Sequence, residues 1–306
     1  LRRAFQVRSA VVGAWLVAFA LGAVDALAQG AAPDSIPVES RTLLHDDPAS
    51  QATADSIAAA HVERRKGPGN PITIFLSDLG YVVSSPARMN RESAMWTAGV
   101  LGTTALLYAY DQELFDATQR AQGNAAYDAI VDDVGDFIEP VGNMGNTNLY
   151  YFAGWAAGWA FRYRPLQVIP FQILESHAIS GGIRNVAEIS VGRFRPSAEL
   201  GPRHFEAGDG TSFPSGHASV AFELATIASH HAKSRPVSIA AYTLASVMSV
   251  QRVDAEAHWP SDVLIAAATG HIIARTIVLR QDRREGTGIA WRFIPVESGI
   301  GVALNF

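Results

Sequence analysis

Long uncharged stretches alternate with short polar breaks along most of this chain. Ser93 to Tyr110 carries no charge and is rich in Ala, Leu, Thr and Gly, and Asp111 closes it. Val141 to Phe161 is also uncharged but contains Asn143, Asn146, Asn148 and several glycines. Leu166 to Val191, Ser215 to His231, Val237 to Gln251 and Ser261 to Leu279, with few or no charges, are further helical candidates. Apolar residues lie on all sides of these segments, as in helices buried within a bundle. The pattern predicts an all-α helical bundle of about six long helices.

Both ends differ from this pattern. Residues 29–72 are polar and mixed, with a helix expected around Pro48 to Arg65, and the short apolar pieces from Ile72 to Met89 are expected to lie along the surface of the main domain. At the other end, Ile289 to Ile294 and Ile300 to Phe306 read as two short strands about the Pro295 to Gly299 turn, with Ile300, Val302, Leu304 and Phe306 on one face. A short C-terminal β-hairpin packed on the bundle is expected. The resulting division is 1–28, 29–89, 90–280 and 281–306.

Residues 1–28 have the layout of an export signal. Arg2, Arg3 and Arg8 precede the apolar run Ala10 to Val24, and Ala26-Leu27-Ala28 supplies small residues for cleavage before Gln29. This predicts a periplasmic or cell-envelope protein, the alternative being an uncleaved anchor. Several of the later apolar runs fall short of the roughly 20 residues a membrane span needs, and Glu175, His177 and Glu223 interrupt others. A soluble or peripherally membrane-associated bundle is therefore expected, with an integral membrane bundle as runner-up.

Composition narrows the chemistry. The formal charge of −5 argues against a nucleic-acid partner, and the absence of Cys excludes disulfides and thiol catalysis. What remains is a constellation in the C-terminal half: Arg195-Pro196, then Pro214-Ser215-Gly216-His217, then Arg252, then His258-Trp259-Pro260-Ser261-Asp262. Ser215 and Gly216 fall at a predicted helix start, where unpaired N–H groups favour an anion. Taken alone, a Ser-Gly-His triplet is an ordinary helix cap. Here His217 follows in the first turn, positioned to protonate a leaving oxygen. His258 and Asp262 are four apart, so the carboxylate is expected to reach one imidazole nitrogen and leave the other as a nucleophile. Arg195 and Arg252 supply guanidinium forks for an oxyanion.

These blocks resemble the type 2 phosphatidic acid phosphatase superfamily, which includes bacterial acid phosphatases, lipid phosphatases and vanadium haloperoxidases. The resemblance runs from about Asn90 to Leu279. It implies His258 as nucleophile, Asp262 as its orienting carboxylate, His217 as general acid, and Arg195, Ser215, Gly216 and Arg252 as the phosphate cradle. It also implies a phosphomonoesterase that works through a phosphohistidine on a phosphorylated lipid or a small organic phosphate, with no metal or other cofactor. A vanadate-dependent haloperoxidase and a non-catalytic phosphate- or lipid-binding descendant are the alternatives.

Two positions depart from the family pattern. Gln251 replaces Ser before Arg252, and Glu188 stands seven residues before Arg195 where the family has Lys. A carboxylate there would repel a phosphate. Arg184, four residues earlier on the same predicted helix, is expected to pair with Glu188, and Arg193 is another candidate cation. If the helix is rotated, Glu188 instead faces solvent. Trp96, Tyr150, Tyr151, Trp155 and Trp159 would form either a lipid groove or core packing.

Overall fold

The structure is a computed structural model that describes residues 70–285, 290–296 and 299–305. The expected export signal and the helix around Pro48 to Arg65 lie outside these residues. The described part is mostly helical. Its helices are α1 (Pro71–Val83), α2 (Arg91–Ala109), α3 (Asp111–Gln119), α4 (Met144–Ala160), α5 (Arg164–Val191), α6 (Gly216–Ala232), α7 (Arg235–Asp254) and α8 (Pro260–Glu285). One-turn helical pieces fill residues 125–142 between α3 and α4, ending in the 3-10 turn Glu139–Gly142. The helical class therefore stands, while the number of helices exceeds six because α1, α3 and these short pieces were not separated by apolar periodicity. Strands β1 (Ala290–Val296) and β2 (Gly299–Asn305) pair antiparallel. The expected packing of their side chains on the bundle falls outside the described residues.

Local chemistry sets the helix ends. Asn90 and Ser93 form a reciprocal capping box at the start of α2, with Asn90 Oδ1 accepting from Ser93 N at 2.8 Å and Ser93 Oγ accepting from Asn90 N at 2.9 Å. Gly192 ends α5 in the left-handed conformation at φ 59°, and its N–H donates to Glu188 O. A side chain at Gly192 would run into the backbone of Glu206, so α5 stops where the loop carrying Arg193 and Arg195 begins.

α6, α7 and α8 form the centre. Their contact surface is made of small and branched residues, among them Ala218, Ala221, Ala225, Ala245, Val253, Val263, Ala266 and Ala267. Small side chains let the axes approach closely, and a Cβ at Gly270 of α8 would collide with the Ser219 backbone of α6. α1 docks on the far end of α8, where Phe75, Leu79 and Val82 cover Ile273 and Ile277. Asp78 of α1 is fully buried between Arg280 and Arg284 of α8. The segment from Ile72, expected along the surface, is thus anchored by a buried carboxylate.

Much of the outer face remains apolar. α2 has no buried residue, and Met95, Trp96, Leu101 and Leu106 are exposed along it. On α4, Leu149, Tyr150, Phe152 and Trp159 are exposed, and Ile183, Val186 and Ile189 of α5 join them. The aromatics divide between the two expected roles: Trp96, Tyr150 and Trp159 face outward, whereas Tyr151 packs edge-on against His177 and Trp155 stacks on Phe171. One described helix, Pro260–Arg284, is long and apolar enough to cross a membrane by length and composition, and half of its most apolar stretch is buried in the protein.

Candidate active site

His258 lies in the turn that leads into α8 and is 5% exposed. Its Nδ1 is 2.6 Å from the backbone carbonyl of Ser212. A carbonyl can only accept, so Nδ1 carries the hydrogen and Nε2 keeps a free lone pair. Burial pushes the imidazole down to about 3, and the positive fields of Arg195, His217 and Arg252 act in the same direction. The ring is therefore neutral at physiological pH.

Asp262 does not touch His258, contrary to the sequence expectation. It sits one turn into α8 as expected, but its carboxylate folds back on the start of its own helix. Oδ2 accepts from Trp259 N at 3.1 Å and from Ser212 Oγ at 2.5 Å, and Oδ1 accepts from Arg193 Nη1 at 2.5 Å. The link to His258 runs through Ser212, whose hydroxyl binds Asp262 and whose carbonyl binds the imidazole. Burial pushes the Asp262 carboxyl up to about 6, while the Arg193 guanidinium and Ser212 hydroxyl pull it back, so it is ionised at neutral pH.

Arg193 is likewise not a spare cation. It is 2% exposed and spans two carboxylates, with Nη2 on Asp111 Oδ2 at 2.6 Å and Nη1 on both Asp262 and Ser261 Oγ. Asp111 also accepts from Ser261 N at 2.9 Å and Ser261 Oγ at 2.6 Å. The guanidinium's Nε and Nη2 donate to Pro202 O. This closed network ties α3, the loop after α5 and the start of α8 together, and His258 is held at its edge.

Ser215 caps α6, its Oγ accepting from Ala218 N at 3.4 Å, which leaves Gly216 and His217 in the first turn. His217 Nε2 lies 2.9 Å from Glu139 Oε1, off the N–H direction, so the contact is Coulombic more than a hydrogen bond. The same oxygen is 3.1 Å from Arg252 Nη1. Arg252 Nε donates to Gln251 Oε1 at 2.6 Å, and Gln251 Nε2 donates to Asp136 Oδ1 at 2.7 Å. Gln251 thus orients Arg252, and it fits because a Cβ at Gly135 would lie 2.7 Å from its Cγ.

Arg195 is exposed and donates to Thr211 O at 3.5 Å. Its charge reaches both His258 and Arg252. Arg184 Nη1 is 3.7 Å from Glu188 Oε2, the i,i+4 pair the sequence suggested. That guanidinium also abuts the start of α6, 2.9 Å from where a Gly216 Cβ would stand. Below it, Glu223 is fully buried; burial pushes its carboxyl up to about 7, with Ser180, Ser219 and Ser176 pulling it back. Among the described residues, no group of three His, Asp or Glu is placed to hold a metal ion.

Residues 170–285 match the family model of the PAP2 superfamily. This segment belongs to the PAP2 superfamily. Lipid A 1-phosphatase of Porphyromonas gingivalis is 33% identical over 129 residues, which are 40% of this chain and 26% of that protein. The chain thus spans about a quarter of the length of the curated relative it matches. LpxE of Aquifex aeolicus is similar at 21% identity and a TM-score of 0.39, over 55% of this chain and 93% of that one. A PAP2 type phosphatidylglycerolphosphate phosphatase from Bacillus subtilis is similar at 17% identity and a TM-score of 0.41, over 70% and 96%.

Within this PAP2 segment lie His217, Arg252, His258 and Asp262. Three further residues of the site were not found from sequence. Ser212 precedes the Pro214 block in a turn-rich stretch and acts partly through its backbone. Asp111 and Glu139 lie upstream of the matched residues, where single carboxylates beside apolar helices carry no recognisable spacing. The fit shows only in space: a Cβ at Gly142 would lie 2.6 Å from His217 Cδ2, so the Glu139–Gly142 turn is shaped to receive that ring.

Proposed function

We propose that this chain is a phosphatase of phosphorylated lipids that works through a phosphohistidine at His258, without a metal. The observation that carries this reading is a buried neutral imidazole, pinned through Nδ1–H, with Arg195, Arg252 and a second histidine around it. Nε2 of His258 attacks phosphorus; the P–N bond forms as the bond to the leaving oxygen breaks, and imidazolium His217 gives that oxygen its proton. Neutral His217 then takes a proton from water as the water oxygen attacks phosphorus. The P–N bond breaks, releasing inorganic phosphate and restoring both rings. Arg195, Arg252 and the N–H groups at the start of α6 offset the charge on the equatorial oxygens.

A lipid is the favoured substrate class because apolar side chains are exposed along α2, α4 and α5, where a membrane surface would cover them. The relative named for lipid A 1-phosphate chemistry agrees with this choice. We place the protein in the cell envelope, with its site facing lipid phosphates. Purified protein should release phosphate from a short-chain phosphatidic acid in detergent, with EDTA present. No release there or from an aryl phosphate would overturn the reading. Bromide oxidation appearing with vanadate and peroxide would favour a haloperoxidase; phosphate binding without turnover would favour a binding protein.

Glu188 sets the level of that activity. The Arg184–Glu188 pair cancels the carboxylate and leaves a guanidinium against the helix start. Glu188→Ala should raise phosphate release by about threefold or more, roughly 0.7 kcal/mol, and Glu188→Lys by more. If both variants stay within threefold of the parent, Glu188 lies outside the field of the site.

A further inference from the structure

The turn Glu139–Gly142 puts a carboxylate where the reaction described above has no use for one. One oxygen of Glu139 stands 2.9 Å from His217 Nε2 and 3.1 Å from Arg252 Nη1, and the side chain is about one-third exposed. An anion beside a phosphate site costs affinity, so its position against both groups calls for a compensating role. We propose that Glu139 is a positioning residue for proton transfer: its carboxylate against the His217 ring favours the protonated form, and it holds Arg252 against the pocket wall until a phosphate replaces it. This rests on the reading of His217 as the acid.

The surroundings explain why such a residue is needed. His217 on α6 faces Arg252 from α7, Arg184 from α5, His258 from the turn before α8, and Glu139 from the 3-10 turn. Burial pushes the His217 imidazole down, and Arg252 and Arg184 push it further; Glu139 opposes them. A general acid without Glu139 would lose its proton at a lower pH and would donate poorly at neutral pH. Arg252 gains as well. Gln251 and Glu139 hold its Nε and Nη1, so the fork is already oriented when a phosphate arrives.

The sign of the effect is defined. Removing the carboxylate charge takes away a field that raises the His217 midpoint, so Glu139→Gln should move it to lower pH. The alkaline limb of the pH–rate profile should shift the same way, with at least about a threefold loss of kcat on that limb and a smaller loss as pH falls. Glu139→Asp, which retains the charge, should fall between the two.

The experiment is a pH titration of the His217 ring by NMR in the full chain and in Glu139→Gln, the signal being assigned by its loss in His217→Gln. The pH dependence of phosphate release is measured alongside. A lower His217 midpoint in Glu139→Gln supports the inference, and an unchanged or higher midpoint overturns it. The NMR result does not depend on turnover. If the midpoint moves while the parent releases no phosphate, the phosphatase reading fails and the Glu139–His217 coupling stands. If the parent is active and neither midpoint nor alkaline limb moves, the coupling fails and the phosphatase reading stands.

Discussion

Arg193→Met should destabilise the protein by about 3–5 kcal/mol, a large part of the margin of an ordinary domain. The guanidinium is 2% exposed and lies between Asp111 and Asp262, both at 0%. Removing it leaves two carboxylates buried beside each other without a counter-charge. Ser261 and Ser212 would still donate to them, but hydroxyl bonds do not replace a full positive charge. Protonation should relieve the variant. Burial already raises the Asp262 carboxyl above the usual carboxylate range, and Arg193 is what holds it down. Without Arg193 the folded state binds protons more tightly than the unfolded state, so the variant's stability should fall as pH rises from the ordinary carboxylate range through about 6 and beyond. Urea unfolding across that interval is the measurement. A loss under about 1 kcal/mol at neutral pH, or one that does not shrink in acid, would show that water reaches the cluster.

His258→Ala should remove at least about four decades of phosphate release, or about 5 kcal/mol of barrier lowering. If His258 forms the covalent bond, neither Ser212 nor Asp262 can take over: Ser212 presents a carbonyl to it, and Asp262 is occupied by Arg193, Ser212 and the Trp259 amide. The remaining rate would come from the anion cradle alone. Acid-quenched reactions with labelled substrate should leave phosphate on the parent protein and none on the variant. Residual turnover within about tenfold of the parent would remove His258 from the role of nucleophile. The small side chain of Ala should leave the fold intact, because the imidazole's hydrogen bond among the described residues is to a backbone carbonyl and to no side chain that positions another element.

The long helices were legible because an apolar run of that length in a bundle has few alternatives. Their starts were also close, since Asn90, Ser215 and the Pro260 turn are local signals. The short pieces between α3 and α4 were not, for each is too brief to show a period. Candidate residues were found where they lie close together along the chain, as His217 does behind Ser215 and Gly216. Their partners were harder to read. Asp262 was expected to meet His258 because four residues span one helical turn, but His258 precedes the helix and the carboxylate is drawn to the free N–H of Trp259 and to Arg193.

Helical class, the family blocks and the Arg184–Glu188 spacing were readable along the chain, because each rests on residues close together in it. Which carboxylate serves which cation was set by packing. Asp111 reaches Arg193 across 82 residues, Ser212 reaches Asp262 across 50, and Glu139 reaches Arg252 across 113. Such pairings follow from how helices pack, and charges compete for partners in space without regard to their order along the chain. The carboxylate that stands in place of a cation is thus answered in space: Glu188 is met by Arg184 on its own helix, and a second carboxylate, Glu139, faces the site from a turn that no local pattern marks.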